Sequence, residues 1–394
     1  MRLLPLMALA AAGLASPAIG QSLKSDEVLS SVVVRPIAKP HPVTGADNRV
    51  HLAYELLLSN ASTMFTTIDK VEAVDPAGKV LRTIDGEHLK AMTMLYSGDG
   101  TTLPPGGTGI VFMDVSFAAG EQLPASVAAR ITATRQGVGA DGKPGPLPPG
   151  LPVPATYSFT AGSTAVGAAA RVIDPPLRGR GWIATNGCCD RITPHRGAII
   201  TVNGVIQAPE RFAIDWEQLD DQNRMFEGEK EKLSNWKYYG APIYSVADGT
   251  VVNLWDQSDE QVPGPPAPVT TEAIGGNMLV VDIGGGAFAF YAHLQRGSLK
   301  ARLGDKVKAG QVLGLLGNTG NSTAPHLHFH LMDGPSPLNS EGLPYVLRRF
   351  TSSGVMPAGD EDALEEGKAA RIESRLTGEH VNRLPMDNQV VDFD

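Results

Sequence analysis

The sequence has few of the residues that mark several large functional classes. Only two of its 394 residues are cysteine, and because Cys188 and Cys189 are adjacent, no Cys-x-x-Cys pair is available for a thiolate zinc site. The formal net charge is −9 and lysine and arginine form no cluster, which argues against a nucleic-acid partner. After the first twenty residues no run approaches eighteen uncharged apolar residues, so we expect no membrane-spanning helix.

The two adjacent cysteines leave several states open. In an oxidising compartment they would form a vicinal disulfide, pair between chains, or stay buried as thiols. Two vicinal thiols beside a histidine would also be able to hold a metal ion. All four alternatives stay open at the level of the sequence.

The first twenty residues have the pattern of a secretory signal peptide. Arg2 precedes an apolar run from Leu3 to about Leu14, and the small residues Ala18 and Gly20 favour cleavage after position 20. No lipobox cysteine is present, and removal of Arg2 with this segment changes the formal charge from −9 to −10. We therefore expect a mature chain of about 374 residues that is soluble, periplasmic or secreted, and free of a lipid anchor or an integral membrane segment.

The length allows two domains, and both are predicted to be mostly β. Residues 22–160 alternate strand-like runs with Gly and Pro turn signals, which predicts an immunoglobulin-like β-sandwich. Residues 161–170 are rich in Ala, Gly, Ser and Thr and are the expected linker. Residues 171–350 carry further Gly-punctuated strands and form the second β domain. An acidic extension over 351–394 follows, and its last residues are expected to return as an edge strand.

Three of the nine histidines lie in one short stretch of the second domain. From Leu327 to Leu331 apolar residues alternate with histidines, which predicts a β-strand, and residues two apart in a strand point to the same face. His326, His328 and His330 are therefore expected side by side, about 7 Å apart. Three imidazoles on one face, entered through a polar loop, favour a metal or proton-transfer site over a surface strand that merely carries histidines.

Further candidate site residues lie upstream of this strand. His293 belongs to a Tyr-Ala-His-Leu motif, and His195 lies in a polar stretch ahead of the run Arg211–Trp216. That run alternates like a strand and places Asp215 on the face opposite its apolar residues. Taken alone, Asp215 is an acid near a strand end, which is typical of a solvated turn.

Taken together, these motifs resemble the lysostaphin/LytM-type zinc endopeptidases, exported enzymes that cut peptide cross-links in bacterial cell walls. The order and spacing of the motifs match from Asp215 onward, and the resemblance covers roughly residues 195–332. It implies a duplicated hybrid motif (barrel-sandwich) fold of antiparallel β structure for the second domain. The segments that carry it are Ala247–Val252, Gly276–Gly284, Tyr291–Leu294, Gly304–Gly314 and Gly317–Phe329.

The resemblance implies one zinc ion per chain and roles for five residues. His195, Asp215 and His328 would be the metal ligands, and His326 and His293 would act on water and substrate. Catalytic zinc usually has three nitrogen or oxygen ligands and one open position, and it lowers the pKa of its water towards neutrality. One imidazole beside it can take the proton of the water and pass it to the leaving amine, and a second can stabilise the developing oxyanion.

Two positions depart from the family pattern. The family usually spaces its first ligands as His-x-x-x-Asp, whereas His195 and Asp215 are twenty residues apart. A hairpin over Gly197–Pro209 with a turn at Asn203-Gly would bring them together. The family usually has Glu where His330 stands, so His330 is expected to contact a ligand rather than the metal, or to line the cleft.

Two other functions fit parts of the sequence. The Gly-Asp-x-Val-x-x-Gly-Gln stretch is shared with lipoyl-carrier modules, but a carrier has no use for converging histidines. A metal-free relative that regulates other cell-wall hydrolases is the main alternative. The expected substrate is the peptide part of peptidoglycan, with cell-envelope proteins as further partners. Glycyl-glycine, D-alanyl-diaminopimelate and non-wall peptide bonds all stay open, because the long insert Gln257–Gly275, expected to form a cleft wall, carries no readable specificity code.

Overall fold

The computed structural model describes residues 27–394, so the expected signal peptide lies outside the described residues. Strands dominate the described part of the chain. None of its helices is long and apolar enough to span a bilayer. The mostly β fold class predicted from the sequence is confirmed, and the strands form two bodies that pack against each other.

The N-terminal domain is a sandwich of two antiparallel sheets. Its elements are β1 (Val32–Pro36), β2 (Pro42–Thr44), β3 (Arg49–Asn60), β4 (Phe65–Val74), β5 (Val80–Asp85), α1 (Gly86–Ala91), β6 (Thr93–Leu95), β7 (Thr102–Leu103), β8 (Thr108–Ala118), β9 (Ser126–Val138), β10 (Pro144–Gly145) and β11 (Thr156–Ala165). One sheet has the order β1-β3-β8-β6 with β2 beside β3. The other has the order β10-β9-β4-β5, with β11 beside β9 and β7 beside β4. β11 takes up the first half of the segment expected as a linker.

Burial along the strands shows which face of the sandwich meets the second domain. Strand β9 alternates between buried and half-buried residues, as expected where one face packs on a core and the other faces water. Strands β3 and β8 are instead buried on both faces over most of their length. Ala53 of β3 belongs to the core of the second domain, and Val43 and Ala46 join it. One sheet of the sandwich therefore lies directly against the C-terminal domain.

The C-terminal domain contains a large sheet, two small ones, two short α-helices and two 3₁₀ turns, Leu233–Asn235 and Thr271–Ala273. Its elements are β12 (Arg171–Ile173), β13 (Gly179–Thr185), α2 (Pro194–Gly197), β14 (Ile200–Val202), β15 (Val205–Gln207), β16 (Ile214–Gln218), β17 (Pro242–Tyr244), β18 (Gly249–Trp255), β19 (Asn277–Asp282), β20 (Phe288–Leu294), β21 (Lys306–Val307), β22 (Val312–Leu315), β23 (Leu327–Met332), β24 (Gly342–Leu343), β25 (Tyr345–Val355), α3 (Glu361–Glu365), β26 (Gly378–Arg383) and β27 (Gln389–Phe393).

The large sheet sets the predicted histidine strand in its middle. The order is β12-β25-β27-β13-β16-β23-β20-β19-β18-β21, with β24 beside β23 and β26 beside β25. Along β23, Leu327, Phe329 and Leu331 join the main core of the domain. His328 and His330 point to the other face, where both rings contact Phe290 of β20. The alternation predicted from the sequence is confirmed: one face of β23 packs on the core, and the other, called the chemical face below, carries His328 and His330.

Local turn chemistry is also as predicted between His195 and Asp215. Strands β14 and β15 form a two-stranded hairpin. Its turn residues Asn203 and Gly204 have φ values of 50° and 81°, the left-handed conformation that a tight two-residue turn requires. Of the states left open for the cysteines, the structure has the vicinal disulfide between Cys188 and Cys189, buried just before α2.

The C-terminal residues differ from the sequence-based expectation. Strand β27 is not at an edge: it pairs with β13 on one side and β25 on the other, inside the large sheet. Its apolar residues Val390, Val391 and Phe393 belong to the main core. Burial of these three side chains outweighs the acidic character of the segment around them. The C-terminal extension is therefore part of the second β body rather than a tail attached to it.

Candidate metal centre

Two of the predicted ligands are cross-strand neighbours. Strand β16 pairs with β23 in an antiparallel register that sets Asp215 opposite His328. Oδ1 of Asp215 lies 3.0 Å from Nδ1 of His328. Directly opposed residues of an antiparallel pair are close enough for such contacts. The same strand pairing that builds the sheet therefore brings the acid and the imidazole together.

His195 reaches the same carboxylate from a short helix. Thr193 caps α2 by accepting a hydrogen bond from the Arg196 amide, and Pro194 occupies the first turn. Nε2 of His195 then lies 3.1 Å from Oδ2 of Asp215. The β14–β15 hairpin takes up part of the intervening chain, so the wide spacing in sequence does not separate the two residues in space.

The second ring nitrogens of His195 and His328, which do not face Asp215, contact other groups. Nδ1 of His195 lies 3.0 Å from the carbonyl oxygen of Asn186 and 3.1 Å from that of Ala213, so this nitrogen carries the hydrogen. Nε2 of His328 lies 2.9 Å from Nδ1 of His330. Nε2 of His195 and Nδ1 of His328 are thereby left to face Asp215. Metal-binding histidines are commonly fixed in this way through their second nitrogen.

The three side chains fit a zinc ion. One ligand atom each from His195, Asp215 and His328 can be chosen so that all lie within 4.8 Å of one another. Zinc takes imidazole and carboxylate ligands at about 2 Å, so small shifts would let these atoms surround one ion. The donor set is also the one that a catalytic zinc site uses, with a fourth position free for water. These residues would hold the metal.

The electrostatics of the site keep Asp215 charged. Burial alone would raise the pKa of Asp215, but the charges of His195 and His326 and hydrogen bonds from His195 and His328 hold it well below its usual value. Burial would likewise lower the pKa of His195, yet Asp215 outweighs it and raises that pKa to about 9. A proton on His195 occupies the position where a metal cation would bind, so proton and metal compete there.

His326 lies beside the same carboxylate and His293 lies beside His326, and the Nδ1 atoms of both rings contact the backbone. Nδ1 of His326 lies 2.8 Å from the carbonyl oxygen of Ala324, and its Nε2 lies 3.4 Å from Oδ1 of Asp215. Nδ1 of His293 lies 2.7 Å from the carbonyl oxygen of Thr319. The two rings are 4.6 Å apart. All five residues predicted for the site therefore converge, although their individual roles stay predictions.

These anchors decide what each ring can do. A nitrogen facing a carbonyl oxygen must donate, so neutral His326 and neutral His293 both present a lone pair at Nε2. Burial is the main cause that lowers the pKa of each ring, and in His293 the lowering is large. Both rings are therefore proton acceptors at rest. His293 can donate to an oxyanion only after it has taken up a proton.

The backbone of His293 is held in an unusual conformation. Its φ is 66°, in the left-handed region that few residues other than glycine adopt. The backbone amide of His293 donates to the carbonyl oxygen of Gly275, at the end of the long insert. Backbone strain of this kind is concentrated at functional sites. The insert thus helps to fix the position of a predicted catalytic residue.

His330 contacts the predicted ligand His328 and is not one of the three clustered residues. Its Nδ1 lies 2.9 Å from Nε2 of His328, its side chain is fully buried, and its ring centroid lies 5.1 Å from that of Phe290. Burial, followed by the charges of His328 and His195, holds the pKa of His330 well below its usual value. Among the described residues, Nε2 of His330 has no hydrogen-bond partner. This arrangement fits the expected contact with a ligand.

Two site residues have no distinct signal in the sequence. The side-chain amide of Asn186 donates to Oδ2 of Asp215 at 2.9 Å, and its own φ of 60° suits asparagine. Glu217 follows two residues after Asp215, and burial together with the charge of Asp215 raises its pKa to about 8. In the sequence, Asn186 has the pattern of an ordinary Asn-Gly turn, and Glu217 is an acidic residue in a predicted strand. Only the folded contacts distinguish them.

The insert expected to form a cleft wall does border a cavity on the chemical face of the sheet. The cavity measures about 340 Å³ and is mainly apolar. Strand β18, the end of the insert, and the loop after β23 enclose it, with Trp255, Ile274, Met278 and Leu338 among its walls. Glu260 of the insert accepts from the Asn318 amide at 2.7 Å and so ties the loop to the chain that leads into β23.

A second group of potential ligands lies between the domains. His51, Asp114 and Cys189 also bring one ligand atom each within 4.8 Å of the others. Cys189 is in the disulfide, however, and offers no thiolate. Nδ1 of His51 lies 2.9 Å from Oδ2 of Asp114, and Nε2 lies 3.1 Å from Oδ2 of Asp47. A protonated imidazole between two carboxylates accounts for this group without a metal.

Part of the site lies in a segment that matches known peptidases. Residues 235–340 match the profile of Peptidase family M23. Over 95 residues the chain is 38% identical to the glycyl-glycine endopeptidase ALE-1 of Staphylococcus capitis. This alignment covers 24% of this chain and 22% of that protein. Over 101 residues it is 33% identical to the peptidoglycan DD-endopeptidase ShyA of Vibrio cholerae. That alignment covers 26% of this chain and 20% of the relative. The catalytic domain of the antimicrobial peptidase lysostaphin from Staphylococcus simulans aligns over 43% of this chain and 88% of its own, at 22% identity and a TM-score of 0.22.

The match covers the site unevenly. The chain spans about a fifth of the length of the two relatives compared by sequence. The family segment contains His293, His326 and His328 but begins after His195 and Asp215. The two upstream residues are therefore placed at the site by the geometry of this chain.

Proposed function

Residues 235–340 of this chain belong to Peptidase family M23, and from this membership we propose that the protein is a zinc metalloendopeptidase that hydrolyses peptide bonds of peptidoglycan. The observation that carries the proposal is the convergence of His195, Asp215 and His328 with their ligand atoms within 4.8 Å. The N-terminal signal pattern supports action outside the cytoplasm, in the periplasm or the extracellular space.

A zinc ion at this position would supply a Lewis acid for the scissile carbonyl and a water of lowered pKa. Asp215 contributes a carboxylate that stays ionised, and His195 and His328 each contribute the ring nitrogen that faces it, while their second ring nitrogens contact other groups. The buried surroundings exclude competing water, which strengthens every charge interaction at the site. The chain thus provides a rigid, negatively charged holder for one divalent ion.

His326 and His293 divide the proton transfers between them. His326 faces Asp215 through Nε2, so it is placed to accept the proton of the attacking water and return it to the leaving amine. His293 lies beside it and also begins with a free lone pair at Nε2. Once protonated, His293 would donate to the oxygen that becomes negative as the amide carbon turns tetrahedral. The reaction consumes one water and yields a carboxylate and an amine.

The substrate class rests on the relatives. One is named a glycyl-glycine endopeptidase and another a peptidoglycan DD-endopeptidase, so the two names agree on the cell wall and differ in the bond. We assign the peptide part of peptidoglycan as the substrate and leave the bond to experiment. The mainly apolar cavity beside Trp255 is a candidate subsite for part of that peptide.

The test is digestion of purified peptidoglycan by the purified protein, with fragments identified by mass spectrometry and bound zinc measured in the same sample. We expect one zinc per chain, cleavage at a peptide bond, loss of cleavage with a chelator and recovery on adding zinc. A folded protein that binds no zinc and cuts no wall peptide would instead fit the regulator alternative.

A further inference from the structure

The segment that carries His195 lies between the two domains. It runs from the end of β13 through the disulfide and α2 towards β14. Ile192 and Ile199, on either side of the ligand, pack against the core of the N-terminal sandwich rather than against the core of their own domain. The placement of His195 therefore depends on a surface that another domain supplies.

A single buried carboxylate of the N-terminal domain connects to this segment. Glu55 of β3 is fully buried, and its Oε1 accepts from the Arg196 guanidinium at 3.3 Å. Its Oε2 accepts from Nε of Arg211 at 2.7 Å. Arg196 follows His195 directly in the chain. Arg211 lies two residues before Ala213, whose carbonyl oxygen accepts from the ring of His195.

Each arginine is fixed by more than Glu55. Arg196 also donates to the carbonyl oxygens of Cys189 and Met113, the second of which belongs to β8 of the N-terminal domain. Arg211 also donates to Oε2 of Glu341 at 2.7 Å and to the carbonyl oxygen of Gly342 at 3.0 Å. Glu55 thus joins the residue that follows the first ligand, His195, to the chain that precedes the second, Asp215.

This arrangement fixes the positions of the two arginines. A buried guanidinium without a partner is costly, so each arginine stays where Glu55 can reach it. Planar guanidinium groups with several directed donors also tolerate little displacement. Because both arginines share one carboxylate, the backbone at His195 and at Ala213 is held at a fixed separation. That separation determines the direction in which the His195 ring points.

We infer that the N-terminal sandwich is a built-in positioning element of the metal site, and that Glu55 is the positioning residue that sets His195 for binding. This rests on the proposed function, because it concerns the affinity of the same site for zinc. It also accounts for the twenty-residue spacing. No short chain segment links His195 to Asp215, so contacts with the N-terminal domain keep the two residues close.

The experiment compares the full-length protein with Glu55→Gln and with a matched control, Glu72→Gln. Glu72 is a nearly buried acid in the other sheet of the sandwich, paired there with Lys70 and Arg130. Zinc dissociation constants are measured by competition with a chromogenic chelator. Supporting groups of metal ligands are commonly worth about 10–100-fold in affinity, so we expect that loss in Glu55→Gln and none in Glu72→Gln.

Hydrogen exchange of the metal-free proteins gives a second readout. Glu55→Gln is expected to increase exchange across residues 186–199, while β16 and β23 keep the protection of the wild type. Activity at saturating zinc should return to near the wild-type kcat, because the substitution weakens the holding of the metal and leaves the reacting groups in place. A residue needed only for folding would lower protection throughout the chain.

Two outcomes separate the inference from the function beneath it. If the wild-type protein binds no zinc, the proposed function fails. If the wild type binds zinc and Glu55→Gln binds it equally well, the inference is overturned and the function stands. Should Glu55→Gln not fold, Arg196→Lys decides: one ammonium cannot serve Glu55, Met113 and Cys189 together, so zinc affinity must fall there too.

Discussion

The carboxylate of Asp215 and the imidazole of His328 face each other across two antiparallel strands, with 3.0 Å between Oδ1 and Nδ1. The other oxygen of Asp215 lies 3.1 Å from His195. One acid therefore joins two histidines that come from separate parts of the chain. A divalent ion placed among them would replace hydrogen bonds that already exist, so the site needs little rearrangement to bind it.

Removal of either strand ligand should abolish metal binding. Asp215→Ala takes away the charge that offsets a divalent cation, and His328→Ala takes away one of the two imidazoles. We expect each purified variant to contain no stoichiometric zinc by elemental analysis. His41→Ala provides the control, since His41 is a histidine of the N-terminal domain whose Nδ1 lies 2.9 Å from the backbone carbonyl oxygen of Ala168. Full zinc content in Asp215→Ala would remove this residue from the ligand set.

Substitution of His326 should separate binding from turnover. His326 borders Asp215 at 3.4 Å but is outside the ligand set, so His326→Ala should keep its zinc. General acid–base catalysis by one side chain contributes about 10²–10⁴-fold, and kcat on peptidoglycan should fall by that factor. The measurement is zinc content and fragment release in one preparation. Unchanged activity on every substrate that the wild type cuts would refute the proposed mechanism.

Substitution of His330 tests whether an acceptor at that position supports His328. His330→Leu removes the group that accepts from Nε2 of His328, and we expect zinc affinity to drop by about 10–100-fold. His330→Glu restores an acceptor and matches the residue that the family usually has, so its affinity should equal or exceed that of the wild type. Chelator competition measures both. Equal loss in the two variants would mean that His330 acts through packing alone.

The local parts of this site are readable from the sequence because they depend on short-range rules. Alternation places His328 and His330 on one face of β23, and the Asn-Gly pair predicts the turn between β14 and β15. The same alternation predicts the face of β16 on which Asp215 lies, whereas its role as a ligand comes from the family resemblance. Each of these inferences needs only a few neighbouring residues.

The remaining parts depend on packing over long distances in the chain. Nothing near His195 indicates that Glu55, in another domain, holds the residue beside it. Asn186 contacts Asp215 only because β13 pairs with β16. Strand β27 lies inside the sheet because its apolar residues complete a core whose other residues come from the whole domain. Tertiary context of this kind overrides what a local pattern predicts.

His51 and the two carboxylates on either side of it, those of Asp47 and Asp114, make the stability of the protein depend on pH. Burial alone would lower the pKa of His51, but hydrogen bonds and charges from Asp114 and Asp47 outweigh it and raise the pKa to about 9. In the unfolded chain a histidine titrates near 6.5. Because the folded value is higher, this stabilisation is fully present below about pH 6.5 and is lost as the pH rises through about 9.

The comparison that isolates this group is wild type against His51→Gln. Urea unfolding should show the wild type more stable below pH 6.5, and the difference should shrink by on the order of 3 kcal/mol above pH 9. His195 and Glu217 also titrate in this range, but they are present in both proteins, so their contribution cancels in the difference. A stability difference that stays constant across this pH range would show that His51 is not held protonated by its two carboxylates.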